Sequence, residues 1–161
     1  MNNLKQISKI LDESNTVAVL CHENPDGDTI GSALALSIAL KSEGKQAEVI
    51  CADPVPKLFR NFEIADLVLP VSSAHAEYDV AVLVDCNEPN RCGCAEKIAY
   101  KAKAIACIDH HILLNELNYP AYVCIDYGAT AMAVMDVLNY RNYTLNEEVS
   151  KFLYIALSTD T

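Results

Sequence analysis

Short, continuously apolar runs rich in β-branched residues alternate along this chain with segments of helical period. That alternation constrains the fold more than any other feature. Val80-Ala-Val-Leu-Val84 is the strongest such run, and Thr16-Val-Ala-Val-Leu-Cys21, Gln46–Cys51 and Ala104–Ile108 are of the same kind. A strand with one wet face alternates apolar and polar residues; these runs do not, so both of their faces must be covered. Shorter strands are expected at Asp66–Leu69 and Tyr122–Ile125. Leu4, Ile7, Ile10 and Leu11 mark a helix over 3–14, and helical spacing returns over 30–43 up to Gly44, a good terminator. Further helices are expected at Lys57–Asn61, 93–102 and 129–140, with a last one opening at Asn146 and running through Phe152–Leu157. The expectation is an α/β fold in one domain, with an open, mainly parallel sheet and helices on both faces. No repeat, low-complexity stretch or internal linker interrupts it.

Composition narrows the functional classes. A hydrophobic fraction of 52% excludes intrinsic disorder. The longest apolar stretch, Ala33–Leu40, is far short of the ~20 residues that a membrane span needs. The start, Met1-Asn-Asn-Leu-Lys-Gln, lacks a basic segment followed by an apolar core, so no secretory leader is expected. Seven cysteines, an odd count without a CxxC pair, argue against a disulfide framework and for reduced, mostly buried thiols in a cytoplasmic protein. Cys92-Gly-Cys94 has no second close pair to complete a zinc site. A net charge of −10 disfavours duplex DNA held by general charge attraction, yet leaves open a small anionic substrate held through metal.

The ionisable residues gather where such a sheet places its ligands, outside the carboxyl ends of the strands. After Thr16–Cys21 come His22, Asp26 and Asp28; after Val80–Val84 comes Asp85; after Ala104–Ile108 come Asp109, His110 and His111. Singly, each has an ordinary reading: Asp28 could be a helix cap, and a lone histidine is more often structural than a ligand. Together, so many carboxylates and imidazoles at one sheet edge would repel unless cations neutralised them. Imidazole and carboxylate without thiolate suit Mn²⁺, Mg²⁺, Fe²⁺ or Zn²⁺.

His22-Glu-Asn-Pro-Asp-Gly-Asp-Thr-Ile-Gly-Ser32, Val84-Asp85, Asp109-His-His111 and Thr159-Asp-Thr161 resemble, in order, the four motifs of the DHH phosphoesterases. The likeness is greatest to the branch of bifunctional oligoribonucleases that also act on 3′-phosphoadenosine 5′-phosphate (PAP). The resemblance implies two divalent ions, commonly Mn²⁺, with Mg²⁺ or another divalent ion as alternatives. It places His22, Asp26 and Asp85 on one ion and Asp28, Asp85, His110 and Asp160 on the other, with Asp85 bridging. It puts His111 on the phosphate or leaving oxygen and Asp109 behind an imidazole, and makes Ser32 and Arg91 candidate phosphate contacts. Asn115 matches a recurrent family position. The implied partners are short single-stranded RNA or small phosphorylated nucleotides, with no duplex DNA and no membrane; a homodimer is left open. Gly27 and Gly31 are expected to let backbone approach where a side chain would crowd the site.

Three departures are visible. The related family II pyrophosphatases carry Pro-Asp-Thr-Asp and a histidine after the bridging Asp, where this chain has Gly27 and Cys86. Met132 stands where relatives often have glutamate. Relatives also continue past the last motif into a second domain, so residues 1–161 are expected to be the catalytic part of a longer two-domain protein that loads metal but turns over poorly alone. Cyclic dinucleotides and pyrophosphate remain alternative substrates. Asp26-Gly-Asp28-Thr29 also fits the aspartyl nucleophile loop of haloacid dehalogenases, but that leaves His22, His110 and His111 without a role. A non-catalytic metal- or nucleotide-binding module is the third reading. His75, the lysines 97, 101 and 103, and the tyrosines 119, 122, 140 and 143 are expected to be structural.

Overall fold

The structure is a computed structural model and describes residues 3–62 and 64–161. Met1 and Asn2, where the reading of an absent leader begins, lie outside the described residues. In chain order the elements are α1 (Asn3–Asp12), β1 (Thr16–Leu20), α2 (Gly27–Ser42), β2 (Gln46–Cys51), β3 (Val68–Pro70), β4 (Val80–Val84), α3 (Glu96–Lys101), β5 (Ala104–Asp109), β6 (Ala121–Val123), α4 (Thr130–Tyr140) and α5 (Glu147–Asp160). Short 3₁₀ turns occupy Lys57–Phe62, Ile64–Asp66, Val71–Ser73 and Pro89–Ala95.

All six strands are parallel, in the order β3-β2-β1-β4-β5-β6. The chain builds outward from β1 in one direction, then returns to β4 on the other side of β1 and builds the opposite way. Right-handed crossovers then put the β1–β2 helix, α2, and the β4–β5 helix, α3, on opposite faces. Alternation along β1 shows the two layers directly. Val17 and Val19 enter one core with Ile7 and Leu11 of α1, the apolar face of α2, Val134 and Leu138 of α4, and Phe152 of α5. Ala18 and Leu20 enter the other with Leu83, Cys107, and Ile98 and Ala99 of α3. All five residues of β4 are buried, which is why that run carries no polar alternation. Helices cover both faces as expected, but unevenly: among the described residues four pack on one side and the short α3 on the other.

Local differences from the sequence reading have local causes. Helix α2 starts at Gly27 because the Asp26 carboxylate caps it, accepting the Thr29 N–H at 3.0 Å. The helix expected over 93–102 begins only at Glu96, because Gly93 adopts φ +55° and ψ −135° and kinks the 3₁₀ segment Pro89–Ala95 that precedes α3. Strand β6 stops at Val123, since Cys124 and Tyr127 close a turn (N–H of Tyr127 to the Cys124 carbonyl, 3.0 Å) and leave Ile125 exposed. No helix among the described residues is long and apolar enough to cross a membrane.

The seam between α2 and α5 depends on two glycines one helical turn apart. A Cβ on Gly31 would lie 2.5 Å from the Phe152 carbonyl oxygen and 2.8 Å from the Ala156 Cβ. A Cβ on Gly27 would lie 2.4 Å from Thr159 Oγ1. Their role is therefore helix-to-helix contact, a correction to the expectation that they relieve crowding inside the site itself. The contact delivers the end of α5 to the site.

Candidate metal centre

Strands β1 and β4 are neighbours whose chains leave in opposite directions, so the crevice between their carboxyl ends is the topological switch point of the sheet. Into it run the loop after β1 with His22, Asp26 and Asp28, and Asp85 directly after β4. Asp109 ends β5, followed by His110 and His111. The final residue of α5, Asp160, closes the group. Asp85 leaves its strand with φ +64°, a left-handed conformation that costs a non-glycine residue about 1 kcal/mol or more. Its N–H is nevertheless held by the Ile108 carbonyl at 3.1 Å, so the strand pairing extends to the residue that turns.

Three groups in this crevice have ligand atoms within 4.8 Å of one another: His22, Asp26 and Asp85; Asp28, His110 and Asp160; and Asp85, His110 and His111. Asp85 faces both sides. Its Oδ2 lies 3.4 Å from His22 Nε2 and its Oδ1 lies 3.6 Å from His110 Nε2. His22 Nε2 is also 3.7 Å from Asp26 Oδ2, and His110 Nε2 is 3.8 Å from Asp28 and 3.4 Å from Asp160. Most of these separations exceed hydrogen-bond length. They are close to the spacing of two atoms that share one cation at about 2.1 Å from each.

The imidazoles are prepared for such a role by their other ring nitrogen. His22 Nδ1 sits 2.7 Å from the Glu23 carbonyl, and His110 Nδ1 sits 3.0 Å from the Tyr127 carbonyl. A carbonyl can only accept, so Nδ1 carries a proton and Nε2 is the nitrogen turned to the crevice, where a cation would take the place of its proton. Burial opposes charging of His22, but the facing carboxylates of Asp26 and Asp85 with the Glu23 carbonyl outweigh it and hold its pKa up at about 11. His110 is raised in the same way: burial is overcome by the Tyr127 carbonyl and the charges of Asp85, Asp28 and Asp160. Asp28, pressed by its own burial and by the charge of Asp85, is pushed up to about 7. An anionic cluster that raises its own members' proton affinity is one that a divalent cation fits.

The carboxylates have a second set of partners. Asp28 is buried and accepts Thr130 N–H at 2.7 Å, Ala131 N–H at 3.1 Å and the Ser32 hydroxyl at 3.1 Å. It thus caps α4, whose own N-cap residue, Ala129, supplies no side-chain bond. Asp26 serves twice, capping α2 through Oδ1 while Oδ2 faces His22. Asp109 is fully buried and accepts from Asn87 Nδ2, from the His110 N–H and from His111 Nδ1, each at 2.8 Å.

Eight of the residues singled out from the sequence meet here: His22, Asp26, Asp28, Asp85, Asp109, His110, His111 and Asp160. Ser32 is a correction: its hydroxyl is buried beneath Asp28 and donates to it, so it is not presented as a phosphate contact. Arg91 is exposed; its carbonyl accepts the Glu23 N–H at 2.7 Å, which ties its loop to the loop carrying His22. His75 is remote from the site, bonded to Glu48 at 3.0 Å. Sequence reasoning missed Thr130, whose hydroxyl donates to Asp85 Oδ1 at 2.7 Å, along with Asn87 and the Tyr127 carbonyl. A threonine at a helix start reads as an ordinary cap, and a carbonyl partner leaves no mark in a sequence.

Comparison with known proteins shows the family and the fold. Residues 16–157 match the DHH family, N-terminal domain. The chain is 27% identical over 163 residues to the bifunctional oligoribonuclease and PAP phosphatase NrnA of Mycoplasma genitalium, covering 100% of this chain and 49% of that protein. It is also 27% identical over 150 residues to a probable manganese-dependent inorganic pyrophosphatase of Enterococcus faecalis, covering 90% and 48%. Among solved structures, an exopolyphosphatase-related protein from Bacteroides fragilis superposes with a TM-score of 0.89 at 22% identity, over 99% of this chain and 50% of that one. The chain spans about half the length of the curated relatives it matches.

Proposed function

The chain belongs to the DHH family, as its N-terminal domain, and on that footing we propose that it is the catalytic part of a two-domain, metal-dependent phosphoesterase acting on short oligoribonucleotides and PAP. The observation that carries the reading is the division of Asp85, one oxygen toward His22 and Asp26, the other toward His110 in the group with Asp28 and Asp160. Two divalent cations, Mn²⁺ by preference, would be held by these two groups with Asp85 shared. When bound, they supply Lewis-acid charge for the phosphate oxygens and acidify the attacking water. The chain's own residues do the rest. His22 and His110 keep their Nε2 lone pairs directed inward because backbone carbonyls hold Nδ1. His111, half exposed and anchored by buried Asp109, is placed to contact the phosphate or to give a proton to the leaving oxygen. Arg91, exposed and tied through its carbonyl to the loop of His22, is assigned to the substrate's phosphate.

Pyrophosphate is the second reading, because relatives named for it are as similar as those named for RNA and PAP. Cys86 disfavours it: the residue after Asp85 is a buried thiol, 3.6 Å from Cys92 Sγ, where the pyrophosphatases have an imidazole. The test is a substrate panel with saturating Mn²⁺: a short RNA, PAP, a cyclic dinucleotide and pyrophosphate, with Asp85→Asn as the blank. RNA and PAP are expected to be hydrolysed fastest, slowly in absolute terms. Pyrophosphate leading by tenfold, or no hydrolysis of any substrate by Mn²⁺-loaded protein, would overturn the assignment.

A further inference from the structure

We propose that Thr130 is a positioning residue that fixes Asp85 as the bridge between the two cation groups; the inference rests on the two-cation reading above. Thr130 is fully buried as the first residue of α4 and touches both central carboxylates at once. Its hydroxyl donates to Asp85 Oδ1 at 2.7 Å, and its N–H donates to Asp28 Oδ2 at 2.7 Å.

The consequence follows from counting donors and acceptors. A carboxylate turning about its last side-chain bond interchanges its oxygens at little cost, and nothing in a bare aspartate assigns one oxygen to each neighbour. Asp85 leaves its strand in a left-handed conformation, so the backbone sets where the carboxyl lies but not how it is rotated. Among the described residues the Thr130 hydroxyl is the side-chain group that hydrogen-bonds Asp85. A hydroxyl has a single proton, so it marks one oxygen, Oδ1, which is the one facing His110 and His111; Oδ2 is left facing His22.

The hydroxyl is itself held. Thr130's N–H is bonded to Asp28, which Ser32 and the Ala131 N–H hold in turn. As a β-branched residue Thr130 has few χ1 states to occupy. Asp28, in the first turn of α2, and Asp85, directly after β4, both face His110, so Thr130, bonded to each, also sets their separation. The placement of the shared carboxylate against the Asp28 and His110 side is therefore governed by a residue assigned to neither a cation nor substrate.

The test is Mn²⁺ titration calorimetry with Mn²⁺ electron paramagnetic resonance on Thr130→Val, Thr130→Ala and Thr130→Ser. Wild type is expected to bind two Mn²⁺ that show an exchange-coupled spectrum. Thr130→Val keeps the shape without the proton, and is expected to lose tenfold or more in one of the two affinities, within the ~10–100-fold range of such outer partners, and to lose the coupled signal. Thr130→Ser should stay within threefold of wild type and remain coupled. A merely structural role would lower thermal stability while leaving coupling unchanged. Two Mn²⁺ bound by Thr130→Val within threefold of wild type, still coupled, would overturn the inference while sparing the two-cation reading. A wild type that binds one Mn²⁺, or two without coupling, would overturn both. If Thr130→Val does not fold, the Ala and Ser variants decide by the same criteria.

Discussion

Substituting alanine for Gly31 pits two physical effects against each other with opposite signs. In an exposed helix interior, Gly→Ala stabilises by about 1 kcal/mol through backbone entropy. At Gly31 the new Cβ would lie 2.5 Å from the Phe152 carbonyl oxygen and 2.9 Å from the Ala156 nitrogen. Both are main-chain atoms of α5 and cannot rotate aside. Restoring an ordinary contact of about 3.5 Å requires α5 to withdraw by about 1 Å along its middle turns. Overpacking of this kind costs roughly 1–3 kcal/mol, and the upper part of that range applies when backbone must move. Subtracting the propensity gain leaves about 2 kcal/mol of destabilisation, or about 4–8 °C in Tm for a chain of this length. Urea unfolding in the presence of chelator measures it without the metal's contribution. A second readout is linked to the first: because α5 carries Asp160, Mn²⁺ affinity at the His110 side should fall as well. An alanine variant as stable as wild type, or more so, would refute the assignment of Gly31 to the helix seam.

Three further outcomes are expected. Asp85→Asn removes the one carboxylate facing both groups, and should abolish most activity and weaken both Mn²⁺ affinities in calorimetry; two ions at wild-type affinity would contradict the bridge. His111→Ala should leave Mn²⁺ binding within a few-fold of wild type while lowering kcat at least tenfold, about 1.4 kcal/mol in barrier, as read by paired calorimetry and kinetics. Asp79 is held below the usual carboxylate range first by the Lys103 ammonium and then by the Thr16 and Asn15 N–H groups. A depressed carboxylate stabilises the fold fully above its unfolded pKa of about 3.9, and that contribution is lost as pH falls below it. Asp79→Asn should therefore be less stable than wild type by about 1–2 kcal/mol at pH 7, with the gap closing in denaturant titrations as pH drops below about 4.

The sequence was most informative where one residue's environment is decided by its immediate neighbours. Val80–Val84 has the boundaries read from its apolar run, because a central parallel strand must be apolar throughout. The crevice was legible for a related reason: ionisable residues directly after buried strands can only emerge at the sheet's carboxyl edge. What pairs with what across that edge was not legible. The strand order depends on crossovers reversing after β3, so the adjacency of His22 and Asp85 is a property of topology. Ser32 lies one helical turn from Asp28 and could equally have faced outward; burial of α2 decided it. Thr130 lies 102 residues from Asp28, and only the docking of α4 brings them together.

The switch-point arrangement also sets an order of assembly for a chain made from its N-terminus. The group of His22, Asp26 and Asp85 is complete in covalent terms once residue 85 has been added, provided β1 and β4 can pair. The group of Asp28, His110 and Asp160 waits for residue 160 and for α5 to settle on the glycines of α2. On the proposed two-cation reading, the first pocket would be able to capture a cation during synthesis and early folding, while the second still missed a wall. A nascent chain that loaded in sequence would meet Asp28 and His110 with part of the anionic charge already neutralised, and α5 would then close on a centre that was half filled.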